Sequence, residues 1–394
     1  MDNIKNEIAK YEEELIALRR DFHRHPELGY QEFRTSDIIA NYLAGLGLEV
    51  TRLVKTGVVG LLKGSGGAGK TLLMRADMDA LPVEEKTDLS YKSQTPGVMH
   101  ACGHDGHSAI QLIAAKVLAN HKDKIKGTIK FIFQPNEEEA GALDMIRAGV
   151  LENPNVDAAL AIHLWSAIPS GKIGLSEGPI LGTTEEFELK IIGKSGHTSA
   201  PHTAIDPILG AAKVVDAVQV LITREFDPLQ PIVIMFGKIH GGSARNIIPD
   251  CVELGGTIRF LFAHEMTDKP MVLEAFERVI KGTCASLNLS YELNFIPSNP
   301  SLVNDATMVS LVKQAAAETY AVSDNIEVFR GLAGEDFAEF SQRVPSVMTF
   351  LGISNAEKKT NYPHHNSKFN IDEDMLKYGA ELQVRSALAF FKTP

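Results

Sequence analysis

Short runs of β-branched and apolar residues alternate with helical spacing at both ends of this 394-residue chain, and a stretch of different texture interrupts them. The spacing predicts strands at Val58–Leu62, Thr71–Ala76, Thr128–Phe133 and Asp157–His163, with helices at Ser108–Leu118 and near Ala142–Ala148. Strands that are apolar at nearly every position are buried on both faces, and their alternation with helices predicts an α/β domain with a largely parallel sheet. Two helices precede it, through Leu15, Ile16, Leu18 and Phe22, and through Ile38, Ile39, Tyr42, Leu43 and Leu46. From about Thr184 the pattern becomes strict alternation (Phe187, Leu189, Ile191), which describes a half-exposed strand. A helix at Pro207–Leu221, strands at Pro231–Ile239 and Cys251–Phe260, a helix at Met271–Ala285 and a strand at Ser290–Phe295 then predict a small α+β domain with a sheet open on one face. Beyond Pro297 and Pro300 the first texture returns, with a helix at Ala306–Thr319, a strand at Val347–Leu351 and a closing helix around Asp372–Phe391. The expected layout is a domain in two parts, 1–184 and 299–394, split by an insertion at 185–298.

The net charge of -11 repels phosphate backbones and anionic bilayers, so nucleic acid and membrane are not expected as partners. No signal-peptide core and no uninterrupted apolar run of about 18 residues is found, which leads us to expect a cytoplasmic protein. Three cysteines, Cys102, Cys251 and Cys284, suit a reducing compartment and cannot build a disulfide framework.

Residues 64–71, GSGGAGKT, fit the phosphate-loop pattern G-x-x-x-x-G-K-[ST]. That motif requires a helix opening at its lysine, whereas TLLMRADMDALP is a strand followed by a turn, so a flexible hairpin loop is the better reading. The informative segment is Met99–His107, MHACGHDGH, which gathers a thiol, a carboxylate and three imidazoles at the mouth of a helix. Cys102 and His104 can place a thiolate and an imidazole on one metal ion. Three other segments can reach the same sheet edge: QPNEEE with Glu137 and Glu138, the strand end at His163, and YPHHNSKF with His364 and His365.

With these motifs assembled, the chain resembles the zinc-type aminoacylase and carboxypeptidase metallohydrolases, and within them the amidohydrolase branch that includes hippurate hydrolase, indole-acetyl-amino-acid hydrolase and N-acyl-L-amino acid amidohydrolase. The resemblance runs through RRDFHRHPELGYQE, RADMDALPVEE, GVMHACGHDGH, FQPNEEEAG, GKSGHTSAPHTAIDP, SARNIIPD, GTIRF, AGEDFAEF and HHNSKF. It implies a catalytic domain holding two divalent metal ions and an inserted four-stranded lid domain used for assembly into a homodimer or homotetramer. Carried over, the ligands are Cys102, His104, Glu138, His163 and His365, and Glu137 is the general base. Asp79 is the acid that orients a ligand, Asp77 stands where other branches place a metal-binding histidine, and His107 lies behind the ligands with it. His197 in the lid is implied to stabilise the oxyanion, in several members from the other subunit, and Asn246 and Arg259 to grip a substrate carboxylate; Arg259 could equally be a structural ion-pair partner. Glu139 and Ala140 replace the glycines usual after the paired glutamates, and Asn366-Ser367 replaces Ser-Pro.

The implied reaction is hydrolysis of the amide of an N-acyl amino acid by metal-activated water, with zinc, manganese, cobalt or nickel all compatible with a mixed thiolate, imidazole and carboxylate set. A carboxypeptidase or dipeptidase on the same residues is the alternative, and a phosphate-loop nucleotide binder or a non-catalytic relative the remote one.

Overall fold

The computed structural model describes residues 2–262, 265–319 and 325–392. The chain divides into two compact units, one made of residues 1–178, 303–329 and 335–394, the other of 179–302 and 330–334.

The first unit is built on a mixed eight-stranded sheet, ordered Glu49–Leu53, Gly57–Lys63, Gly127–Gln134, Lys70–Asp77, Ala158–Pro169, Ser346–Ser354, Ile173–Gly174, Ile326–Glu327. From Gly127–Gln134 to Ser346–Ser354 the four central strands are mutually parallel. Their side chains, among them Leu72, Met74, Phe131, Leu160, Ile162 and Leu351, share one core with Ile110, Ile113 and Leu118 of the His104–Asn120 helix and Leu376 and Val384 of the Leu376–Phe390 helix. Burial on both faces is why these strands read as continuous apolar runs.

The departures have local causes. The N-terminal region holds three helices, Asp2–Ala9, Glu12–Arg24 and Phe33–Gly45, the first passing unnoticed beside the second. Glu49–Leu53 was not anticipated either, because an edge strand with mostly outward-facing side chains carries little apolar signal. The glycine-rich loop opens no helix at Lys70, which begins a strand, but it is not a hairpin. Its flanking strands are separated in the sheet by Gly127–Gln134, so the loop crosses an intervening strand, held by Gly64 N–H to Gly127 O at 2.9 Å and Gly66 N–H to Ile125 O at 3.0 Å.

The second unit contains an antiparallel sheet ordered Ile232–Gly241, Cys251–Phe260, Thr183–Ile192, Ser290–Pro297. Phe187, Leu189 and Ile191 point into a core with Val214 and Val218 of the Pro207–Val220 helix and Phe276 and Ile280 of the Glu265–Ser286 helix. The alternating Glu186, Glu188 and Lys190 take the uncovered face, as period-two patterning requires.

Among the described residues no helix is long and apolar enough to cross a membrane.

A buried ion network ties the Glu12–Arg24 helix to the rest of the first unit. Arg19 donates to Asp105 at 2.9 Å and to Glu373 at 3.1 Å, while His23 sits between Asp105 (2.8 Å) and Glu85 (3.3 Å). Burial and the Arg19 charge oppose charging of His23, but the two carboxylates outweigh them and hold its pKa above the usual 6.5. A histidine raised on folding stabilises fully below its unfolded pKa and loses that contribution as pH rises through the folded value. We therefore expect the melting temperature to decline as pH is raised from 6 to about 9, and His23→Gln to flatten that slope; an unchanged slope in the variant would exclude this histidine as its source.

Candidate metal centre

Three parallel strands and one helix bring the chemistry-bearing residues of the first unit to a single sheet edge. Asp77 ends Lys70–Asp77, and Gly127–Gln134 leads through Asn136 into the tight 3-10 turn Glu137–Glu139. Asn136 and Ala140 bracket that turn with φ of 57° and 64°, so Ala140 holds a left-handed conformation that favours glycine. His163 lies in the parallel strand Ala158–Pro169, and His104 is the first residue of its helix, after Gly103 at φ 95°. His365, itself at φ 63°, is tied to the Cys102 loop by its N–H donating to Ala101 O at 2.8 Å.

Among the described residues five groups of donor atoms lie mutually within 4.8 Å there: three are Asp77 with His104 and His107, His104 with Glu137 and Glu138, and Glu137 with Glu335 and Asp336, and the other two are Cys102, His104, His163 and Cys102, Glu138, His365. The last two share Cys102, whose Sγ is 3.8 Å from His163 Nε2, and His365 Nε2 is 3.4 Å from Glu138 Oε1. Glu137 adjoins both sets, its Oε2 3.8 Å from His104 Nε2.

The hydrogen bonds fix which nitrogens are available. His104 Nδ1 faces Asp79 O at 2.9 Å and His163 Nδ1 faces Leu164 O at 2.9 Å. A carbonyl can only accept, so each Nδ1 carries a proton, and in the neutral ring that a metal requires the lone pair is on Nε2. His104 Nε2 is buried without a hydrogen-bond partner and Glu138 Oε1 has only the His365 ring at 3.4 Å, an arrangement that is costly unless a cation is held there. Burial, with Glu138 close by, pushes the Cys102 thiol well above its usual range, so its thiolate also needs a cation. His104 is drawn well above its ordinary value against burial, chiefly by Asp77. A thiol, imidazoles and a carboxylate that all favour added positive charge fit a divalent metal.

Behind this set stands a buried charge cluster. Arg75, within its strand, donates to Asp77 at 2.5 Å, Asp336 at 2.9 Å, Glu335 at 3.0 Å and Gln134 at 3.0 Å. Asp77 in turn meets His107 Nδ1 at 2.6 Å, and Asp79 accepts the Glu138 N–H at 3.1 Å. Burial raises Glu137 well above the carboxylate range, with Glu335, Asp336 and Glu138 adding to the rise. Arg75, Glu335 and Asp336 were not singled out in the sequence. The signal lay in an arginine inside an apolar strand two residues before Asp77, and in the paired acids of AGEDFAEF.

The remaining sequence candidates belong to the second unit. The two-residue strand Gly196–His197 pairs with Ile247–Ile248, which sets His197 beside Asn246, whose carbonyl accepts the Thr198 N–H at 3.3 Å. His197 Nδ1 accepts from the Ser199 N–H at 3.1 Å, which leaves the proton on an exposed Nε2. Arg259 Nη1 donates to Thr184 Oγ1 at 3.1 Å and Leu332 O at 3.2 Å, both neutral acceptors and not the ion-pair partner weighed for it in the sequence.

Removing Arg75 would leave several buried carboxylates without their cation, a loss of the order of 3–5 kcal/mol. Arg75→Met should therefore lower the denaturant midpoint sharply in metal-free protein. A shift below about 1 kcal/mol would mean that the cluster tolerates the loss by taking up protons.

The family model described as Peptidase family M20/M25/M40 matches residues 73–389. Thermostable carboxypeptidase 1 of Saccharolobus solfataricus is 41% identical over 99% of this chain and 98% of its own length. N-acetylcysteine deacetylase of Bacillus subtilis is 36% identical over 94% of this chain and 96% of its own. A crystal structure from Bacillus subtilis described as a dinuclear metal binding peptidase of the M20 family superposes with a TM-score of 0.85 at 32% identity, covering 98% of this chain and 99% of that one. On the family match and the near full-length identity together, this chain is a member of the M20/M25/M40 peptidase family.

Proposed function

We propose that the chain is a metal-dependent amidohydrolase that cleaves the amide bond of N-acyl amino acids. The observation that carries this reading is the pair of donor sets meeting at Cys102 with the Glu137 carboxylate beside them. Cys102, His104 and His163 would hold one divalent ion and Cys102, Glu138 and His365 the other, and Asp79 fixes His104 and Glu138 from behind. Such ions supply a Lewis acid for the amide carbonyl and bring the pKa of attacking water toward about 7. Glu137 takes the proton of that water on its carboxylate and returns it to the leaving amine. Its buried, acid-flanked position suits a group that must hold a proton between those steps.

The second unit completes the reading as a lid and dimerisation domain. His197 stabilises the oxyanion through its exposed Nε2, and the carboxylate of the substrate is gripped by Asn246 and by the part of the Arg259 guanidinium not committed to Thr184 and Leu332. The edge strand Ile232–Gly241 exposes Met235 (59%) and Ile239 (58%), which supports a homodimer, or a tetramer built from it. Free Cys102, Cys251 and Cys284 support a cytoplasmic setting. The similarity to a carboxypeptidase favours a second reading, removal of a C-terminal residue from short peptides with the same residues.

Chelation should abolish hydrolysis of a panel of N-acetyl and N-benzoyl amino acids and dipeptides, and zinc, manganese, cobalt or nickel should restore it. Full activity in stripped protein would end the metallohydrolase reading, and preference for dipeptides over every N-acyl substrate would favour the second one. Glu137→Gln should lower kcat by roughly 100-fold or more at unchanged metal content, whereas Glu138→Gln should lose metal. The reverse pattern would exchange their roles.

His197→Ala should cost kcat on the order of 10²–10³ without loss of metal. If His197 acts across a dimer interface, mixing His197→Ala with Glu137→Gln subunits should regenerate roughly a quarter of wild-type activity, since about half the dimers are mixed and each has one complete site. No recovery despite proven subunit exchange would confine His197 to its own subunit or remove it from catalysis.

A further inference from the structure

Three histidines converge on the backbone of one residue, Leu164, which is fully buried and directly follows His163. Its N–H donates to His107 Nε2 at 2.8 Å, and its carbonyl faces His163 Nδ1 at 2.9 Å and His364 Nε2 at 3.0 Å. The amide can only donate, so His107 Nε2 is an acceptor and its proton is on Nδ1, which meets Asp77 Oδ1 at 2.6 Å. Asp77 is held by Arg75 at 2.5 Å. A continuous chain thus runs from Arg75 through Asp77, His107 and the Leu164 backbone to His163, and both His107 and Asp77 are wholly buried.

This geometry removes His107 from the set of available ligands, since its Nε2 lone pair is spent on a backbone amide. It also explains why a charged acid lies so deep. A neutral imidazole that must accept at Nε2 is locked into that tautomer by an anion at Nδ1, and Asp77 is that anion.

We propose that His107 is a positioning residue that fixes the peptide between His163 and Leu164, and thereby the direction of His163 Nε2, so that it governs the metal site of Cys102, His104 and His163 and not that of Cys102, Glu138 and His365. The proposal rests on the two-ion reading above. Gln can reproduce both hydrogen bonds of His107, accepting from Leu164 with its carbonyl and donating to Asp77 with its amide. Leu can reproduce neither, and Asn carries the same amide one methylene short.

The test is equilibrium binding of Co²⁺ to chelator-stripped protein, with melting curves of the same metal-free samples. Wild type should bind two ions per chain. His107→Leu and His107→Asn should weaken one ion by roughly 10–100-fold and leave the other unchanged, whereas His107→Gln should hold both within about threefold of wild type. His163→Ala should weaken the same ion, and adding His107→Leu to it should cost little more, because the two substitutions act on one path. If the leucine variant does not fold, the Gln and Asn pair carries the comparison. Two wild-type-like ions in His107→Leu, or in His107→Asn where leucine fails, overturn the proposal, as does a Gln variant as impaired as the others, since shape and not hydrogen bonding would then explain the loss. Wild-type protein that binds two ions yet cleaves no amide would refute the proposed function while leaving the positioning role intact.

Discussion

The site depends on one buried guanidinium. Arg75 lies in a central strand of the sheet, almost fully removed from water, and reaches Asp77, Glu335 and Asp336 at 2.5–3.0 Å. Stripping a charge of its water is expensive, and ion pairing repays the cost only when the geometry is close and the remaining donors are satisfied. Here Gln134 accepts from the guanidinium Nε and also donates to Asp336 at 2.7 Å, so the cluster is closed by neutral groups. Two branches leave it: Asp77 leads to His107 and the Leu164 backbone, and Asp336 presents its N–H to Glu137 at 3.5 Å. One cation therefore stands behind both the histidine of one donor set and the proposed general base.

The cluster does not neutralise the site. Asp77, Glu137, Glu335 and Asp336 lie about one arginine; burial and mutual repulsion drive Glu137, Glu335 and Asp336 upward, Asp336 to about 8, whereas Asp77, against its burial, is held well below the usual carboxylate range by His104, His107 and Arg75. A cavity with that imbalance, a thiol held protonated by burial and imidazole lone pairs fixed by carbonyls behind them is preorganised for added positive charge. The histidines are oriented by main-chain oxygen atoms, which cannot exchange roles as a side chain could. That is a rigid way to commit Nε2 of His104 and His163.

Much of this was legible before any coordinates. The α/β texture with an alternating insertion, the Cys102–His104 pair, the Glu137–Glu138 turn, His163 in an apolar strand and the His364–His365 loop were each visible as residue type and spacing, and the fold brings those of the first unit together, although the strand expected to end at His163 runs on to Pro169. The edge strand Glu49–Leu53 and the crossing of the glycine-rich loop were not legible, because the first depends on which strand remains unpaired and the second on sheet order. Arg75 read as one more charge in RADMD, since burial of an arginine is decided by partners some 260 residues away.

By itself, the sequence determined which groups are available and which elements present them, since periodicity and strand-end position are local properties that survive without knowledge of partners. The tertiary structure alone decided what each group does. Four neighbouring histidines illustrate the division: His104 and His163 keep a free Nε2 because carbonyls take their other proton, whereas His107 and His364 spend theirs on Leu164 and become supports. The imidazoles are chemically identical, and which nitrogen bears the proton follows from whether an amide or a carbonyl lies opposite, a fact fixed by packing between segments up to 200 residues apart.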